Sequence, residues 1–142
     1  AFEAGRVMLR RLRELAAQRS SFAFETTLAS RTFAPWVGEL VRDGFEMHLY
    51  YVWLPDPAMC VQRVASRVRS GGHHVPEEDV RRRYLRGMRN FWDLYRPLAA
   101  TWAVYENRTN AGPLVSARGR TIESVEVEEA ERWRLFVSNL SR

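Results

Sequence analysis

Glu25, Thr26 and Thr27 follow directly on the apolar triplet Phe22-Ala23-Phe24. A carboxylate and two hydroxyls at the mouth of a buried strand can hold a substrate hydroxyl or a metal-bound water. The plainer reading is a strand-end glutamate paired with an arginine, with the threonines capping a turn. A second group comprises Arg63, Arg67 and Arg69, then Gly71-Gly72-His73-His74-Val75-Pro76, then Arg81-Arg82-Arg83. Positions 63 and 67 are four apart and share a helical face. The glycines give a flexible turn, and the next helix returns with further cations. Two arginine-bearing helix ends flanking a mobile loop can close over a triphosphate, where their charge stabilises the transferring phosphoryl group. The competing reading is a solvated charged face paired with Glu77, Glu78 and Asp79. His73 and His74 do not make a metal site, because adjacent histidines diverge and no second ligand pair lies nearby.

The chain has 142 residues, 46% of them hydrophobic and 27% charged, which suits one soluble domain, 1–142, and no more. Its 22 basic side chains outnumber 17 acidic ones, and every one of the 22 is arginine. A guanidinium offers a flat fork of donors that fits phosphate oxygens. The lack of lysine also excludes a Walker A loop, which ends in Gly-Lys-Ser/Thr and reaches the terminal phosphates through that lysine. No stretch is long and apolar enough for a membrane span. Cys60 is alone, so no internal disulfide forms; it reads as a small core residue, and the chain as cytoplasmic. The sequence opens as Ala1-Phe2-Glu3-Ala4-Gly5 within a helical pattern, which reads as a truncated start.

These residues need elements to position them. Phe2, Val7, Met8, Leu12, Leu15 and Ala16 share one face of a helix over 2–18. Phe22 to Phe24 is expected to be a short buried strand. Phe33, Trp36, Val37, Leu40 and Val41 mark a helix ended by Gly44. Phe45 to Leu54 is expected to be a strand, and its near-continuous apolar run from Met47 to Leu54, including His48, befits one covered on both faces. Asp56 with Pro57 starts a helix that Gly71-Gly72 stops. Pro76-Glu77-Glu78 starts a long helix through Phe91, Trp92 and Tyr95, read as core. Strands follow over 102–105 and 114–117, then a helix over 125–140 with Ala130, Trp133 and Val137 inward. Strand alternating with helix predicts an α/β fold with an open, mainly parallel sheet and crossover helices. Ligands then sit beyond the C-terminal strand ends.

The ordered set Phe24-Glu25-Thr26-Thr27-Leu28, His48 to Leu54, Arg63 to Val68, Gly71 to Pro76, Arg81 to Tyr84, Asn90-Phe91, Tyr95 to Leu98 and Tyr105-Glu106-Asn107 resembles the zeta-toxin-like P-loop kinases over about residues 1–118. The resemblance implies a P-loop kinase fold whose N-terminal strand, phosphate loop and helix are absent here. It implies phosphotransfer from ATP or GTP with Mg²⁺ to a small-molecule hydroxyl, for zeta toxins UDP-N-acetylglucosamine, under control of an antitoxin. By position, Glu25 resembles the substrate-side carboxylate, with Thr26 and Thr27 beside it. Arg67 resembles the arginine on the phosphates. Residues of about 67–83 resemble the lid, in which His73 stands near a second family arginine and Arg82 supplies the charge it lacks. Asn107 stands where the base is cradled. Without the phosphate loop the chain is expected to be close to inactive and its sheet to be left with an unpaired edge. The alternative is a non-catalytic, arginine-rich module that binds nucleic acid or an acidic, antitoxin-like partner. Nucleic acid is the less expected of the ligands, and no membrane is expected.

Overall fold

The computed structural model describes residues 2–109, 112–120 and 123–141, without the side chains of residues 2–4, so the placement expected for Phe2 lies outside the described residues. The elements run α1 (Phe2–Ala17), α2 (Phe33–Arg42), β1 (His48–Trp53), α3 (Pro57–Arg69), α4 (Glu77–Asn90), a π-helical turn (Phe91–Tyr95), a 3₁₀ turn (Arg96–Leu98), β2 (Thr101–Glu106), β3 (Leu114–Arg120), β4 (Glu126–Val127) and α5 (Ala130–Leu140).

Three helices end alike. At Arg19, Gly44 and Gly71 the backbone turns left-handed, with φ of 57°, 89° and 88°. The following N–H reaches back five residues, Ser20 to Leu15, Phe45 to Leu40 and Gly72 to Arg67, each at 2.9–3.0 Å. This double-bonded stop satisfies carbonyls that a helix end otherwise leaves bare. Asp56 caps α3 by accepting from the Ala58 N–H at 2.7 Å, with Pro57 in the first turn.

The sheet corrects the expected architecture. Its order is β1-β2-β3-β4; β1 and β2 are parallel, whereas β2–β3 and β3–β4 are antiparallel. The sheet is therefore mixed, not open and mainly parallel. The reason lies in the connections. Two helices and more than forty residues separate β1 from β2, which permits a parallel crossover. Between β2 and β3 there are only seven residues, with Gly112 at φ 99°, so the chain must double back.

The expected strand at Phe22–Phe24 is absent as well: residues 21–27 have no strand partner among the described residues. The aromatic side chains are drawn to α2 instead. Phe22 stacks on Trp36 at 6.1 Å, and Phe24 lies 5.7 Å from Phe33.

Among the described residues β1 is covered on one face only. Leu49 and Trp53 are buried in the core, while His48, Tyr50 and Val52 are exposed on the other face. The core joins this inner face to Trp102 and Val104 of β2, Tyr84 and Met88 of α4, Phe91, Tyr95 and Phe136. Tyr51 stacks on Phe91 at 4.6 Å, and Trp53 meets Phe136 edge-on at 5.2 Å. Each such side chain contributes about 1.5–3 kcal/mol by burial. The last helix begins at Ala130, later than the expected 125, because Glu126 and Val127 pair with β3. Its inward residues are Phe136 and Asn139, flanked by Trp133, whereas Ala130 and Val137 are exposed.

Candidate functional site

The parallel pair points the C-terminal ends of β1 and β2 in one direction, and the Asn107 N–H ties them by donating to the Trp53 carbonyl at 2.9 Å. The Tyr84 hydroxyl donates to the Leu54 carbonyl at 2.8 Å, which fixes the level of α4 at that rim. Phe91 stacks on Tyr51 in mid-strand, so α4 descends across the sheet, antiparallel to β1. Two helical turns lead back from Tyr84 to Glu77, about 10 Å at 1.5 Å per residue. The hairpin of α3 and α4, which pack together, therefore projects beyond the strand ends. That is where ligands of parallel strand pairs bind.

The arginines divide into two sets. Arg81 Nε donates to Glu77 Oε1 at 2.8 Å, and Arg82 pairs with Asp79. These two belong to the charged face that the acidic first turn of α4 creates. Arg67 and Arg69 make no ion pair among the described residues. Both are exposed in the last turn of α3, where the negative end of the helix dipole favours cations. Arg63 donates to the Asn107 main-chain carbonyl, so it anchors the hairpin to the end of β2. The glycine segment is a defined stop. Gly72 packs so closely that a Cβ there would lie 2.7 Å from Arg67 Cγ and 2.8 Å from the Arg67 carbonyl oxygen. His73 and His74 follow it, exposed.

The Glu25–Thr27 segment packs against α4 at Gly87. Thr26 and Thr27 hydroxyls accept from the Leu28 and Ala29 N–H groups at 3.2 and 3.4 Å, as turn-capping hydroxyls do. Each keeps its own O–H for another acceptor. Leu28 adopts a left-handed φ of 54° and buries its side chain in the core. Its carbonyl accepts from Asn90 Nδ2 at 2.8 Å, and the Ser30 carbonyl accepts from the Tyr95 hydroxyl at 2.7 Å. The Thr27 carbonyl rests against Gly87, where a Cβ would come within 2.6 Å of it. Glu25 is exposed and makes no ion pair among the described residues. Ten residues of α4 separate Gly87 from Glu77, about 15 Å. The loop and the hairpin tip thus stand at two levels of one helix.

A third group escaped the sequence reading. Glu106, at the end of β2, has a side chain only 3% exposed, with Arg108 Nε at 2.8 Å from Oε1 and Arg132 Nε at 3.9 Å from Oε2. Beside it lies a cavity of about 340 Å³, lined in part by Thr109, Leu114, Glu129 and Leu135. The available signal was an acid ending a strand that is otherwise apolar, since a buried carboxylate requires cationic partners. Burial pushes the Cys60 thiol up despite nearby Arg63, which disfavours its thiolate form. Among the described residues no group of three His, Cys, Asp or Glu side chains can hold a metal ion. Nor is any described helix long and apolar enough to cross a membrane.

No family model matches the chain, and no solved structure does. A protein of Haemophilus influenzae, described as uncharacterized, is 31% identical over 67 residues, 47% of this chain and 48% of that protein. The match spans about half the length of this curated relative.

Proposed function

We propose that the chain carries the acceptor side and the arginine clamp of a nucleotide-dependent phosphotransferase acting on a small-molecule hydroxyl. The observation that carries this reading is the position of Arg67 and Arg69. They are free of carboxylate partners among the described residues, on a hairpin that overhangs the C-terminal ends of β1 and β2. A guanidinium held near an acid already has its charge compensated; these two are free to engage an anion. Glu25, Thr26 and Thr27 supply a carboxylate and two O–H donors at the lower level of α4, suited to orienting a hydroxyl acceptor. The resemblance to zeta-toxin-like kinases supports the reaction class, and a sugar nucleotide such as UDP-N-acetylglucosamine is the first acceptor to test. An antitoxin-like acidic protein would compete for the same arginines.

In this reading Arg67 binds the phosphate chain, and Arg82 exchanges Asp79 for the transferring group. His73 borders the phosphates, and Asn107, fastened by Arg63, borders the base. The described residues do not fit a resident Mg²⁺, so no step is derived through the metal. Nor does a chain without lysine contain the lysine of a Walker A loop. Nucleotide binding is therefore the property to measure. Titration of a fluorescent ATP analogue should give saturable, salt-sensitive binding that weakens roughly tenfold in Arg67→Ala, the size of one lost charge-assisted contact. Equal affinity in wild type and Arg67→Ala would remove the clamp.

A further inference from the structure

We propose that the cavity at the end of β2 binds a small α-amino acid with an aliphatic side chain. The inference draws on none of the residues assigned to the phosphotransferase and stands independently of that reading. The cavity holds about 340 Å³, within the range of small-molecule sites. The paired ends of β2 and β3 supply Glu106 and Leu114, and the start of α5 supplies Glu131, Arg132 and Leu135. Arg108 engages both oxygens of Glu106: its Nε lies 2.8 Å from Oε1, and its Nη2 donates to Oε2 at 3.3 Å. That fork leaves Arg132 without a close acceptor. Its side chain is only 29% exposed, yet Glu106 Oε2 stands 3.9 Å from its Nε and Glu129 Oε1 3.5 Å from its Nη1. Among the described residues the Arg132 guanidinium makes no hydrogen bond.

The chemistry of the walls selects the ligand. A largely buried guanidinium fork is matched by a carboxylate, which accepts two parallel N–H bonds. The start of α5 favours the same group. Glu129, at the cap position, makes no side-chain cap hydrogen bond, so the first turn offers its N–H groups and the positive end of the helix dipole to an anion. A bare anion does not fit, however. Among the described residues the lining sets the carboxylates of Glu106, Glu129 and Glu131 against the guanidinium groups of Arg108 and Arg132, an excess of negative charge that repels phosphate. Glu129 is 57% exposed, and Glu131 makes no ion pair among the described residues. An ammonium group beside the bound carboxylate would balance these two acids. Leu114 and Leu135 give the apolar wall on which an aliphatic chain packs. An α-amino acid carries carboxylate, ammonium and aliphatic chain on one carbon.

The test is isothermal titration of the 142-residue chain with L-leucine, for which saturable binding is expected. Two half-ligands probe the unaltered chain. 4-Methylpentanoate lacks the ammonium group and 3-methylbutylamine lacks the carboxylate, and each should bind roughly tenfold more weakly, the loss of one charge-assisted contact. Arg132→Ala should weaken L-leucine by a similar factor. Glu129→Gln alters a side chain outside the core; it should weaken L-leucine and leave 4-methylpentanoate no weaker. Circular dichroism of each variant verifies that the fold is kept, and the half-ligands decide the matter should Arg132→Ala unfold. Absence of L-leucine binding, or a half-ligand that binds as tightly as L-leucine, overturns the proposal. Displacement of L-leucine by ATP would give the cavity to a nucleotide and would equally end it. Neither result bears on the Arg67→Ala titration, so the two readings fail separately.

Discussion

Replacing Gly87 by alanine should lower stability, although the helical position alone favours the opposite. In an exposed helix interior, glycine to alanine gains about 1 kcal/mol from backbone entropy. Gly87 is buried in α4, and its new Cβ would stand 2.6 Å from the Thr27 carbonyl oxygen and 3.3 Å from the Tyr51 hydroxyl. An ordinary carbon–oxygen contact is about 3.3 Å or more, so the loop must withdraw by about 0.7 Å. It cannot withdraw freely. The next residue, Leu28, is left-handed and buried, and its carbonyl is held by Asn90 on the same helix. Overpacking of this kind costs about 1–3 kcal/mol. Set against the propensity gain, the net loss is up to about 2 kcal/mol. For a domain of this size that is a fall in Tm of up to about 8 °C. Thermal and urea unfolding followed by circular dichroism measure it, with m unchanged if the compactness of both states is kept. A Tm raised by the several degrees that the propensity gain alone would give would show that α4 and the Thr27 carbonyl are not in contact, and the placement of the Glu25–Thr27 loop would fall with it.

Other consequences follow from the same contacts. Asn90→Ala leaves the Leu28 carbonyl without its buried donor and should cost about 1–3 kcal/mol in urea unfolding; an unchanged midpoint would mean that the hydrogen bond is replaced by water. Burial raises the Tyr51 hydroxyl far above the usual phenol range, and it raises Cys60 and Tyr95 too. Their folded forms therefore hold protons that the unfolded chain releases, so their contribution is complete at neutral pH. It should decline from about pH 9–10 upward, by up to about 1.4 kcal/mol per pH unit for each group. Tyr51→Phe should flatten that decline, and an identical alkaline slope in the variant would refute the role of Tyr51.

What the sequence made legible is what local chemistry decides. Asp56-Pro57 starts α3, Gly44 and Gly71 stop helices, and the aromatic stripe of Phe91 and Tyr95 enters the core, because caps, left-handed stops and apolar periodicity act within a few residues. The sheet was less legible. Alternation of elements suggested parallel crossovers, but the short link through Gly112 forces a hairpin, and a strand's apolar run does not say that both faces are covered. Tyr50 and Val52 belong to such a run and are nonetheless exposed. Phe22 and Phe24 satisfied a strand pattern, yet their rings found partners on and beside α2, a tertiary choice invisible to periodicity. At the site, residue types alone did not separate Arg82, paired with Asp79, from Arg67. Glu106 stood within a quoted motif but received no role, because its cations, Arg108 and Arg132, lie on different elements.

The account rests on the arginine hairpin and the Glu25–Thr27 loop facing one ligand. Hydrogen–deuterium exchange of the chain, with and without Mg-ATP and UDP-N-acetylglucosamine together, tests this most directly. Slower exchange at the end of α3 through Pro76 and, in the same sample, across Thr26 to Ala29 is the predicted result. Protection confined to one of these segments, or found in neither, would contradict a shared site.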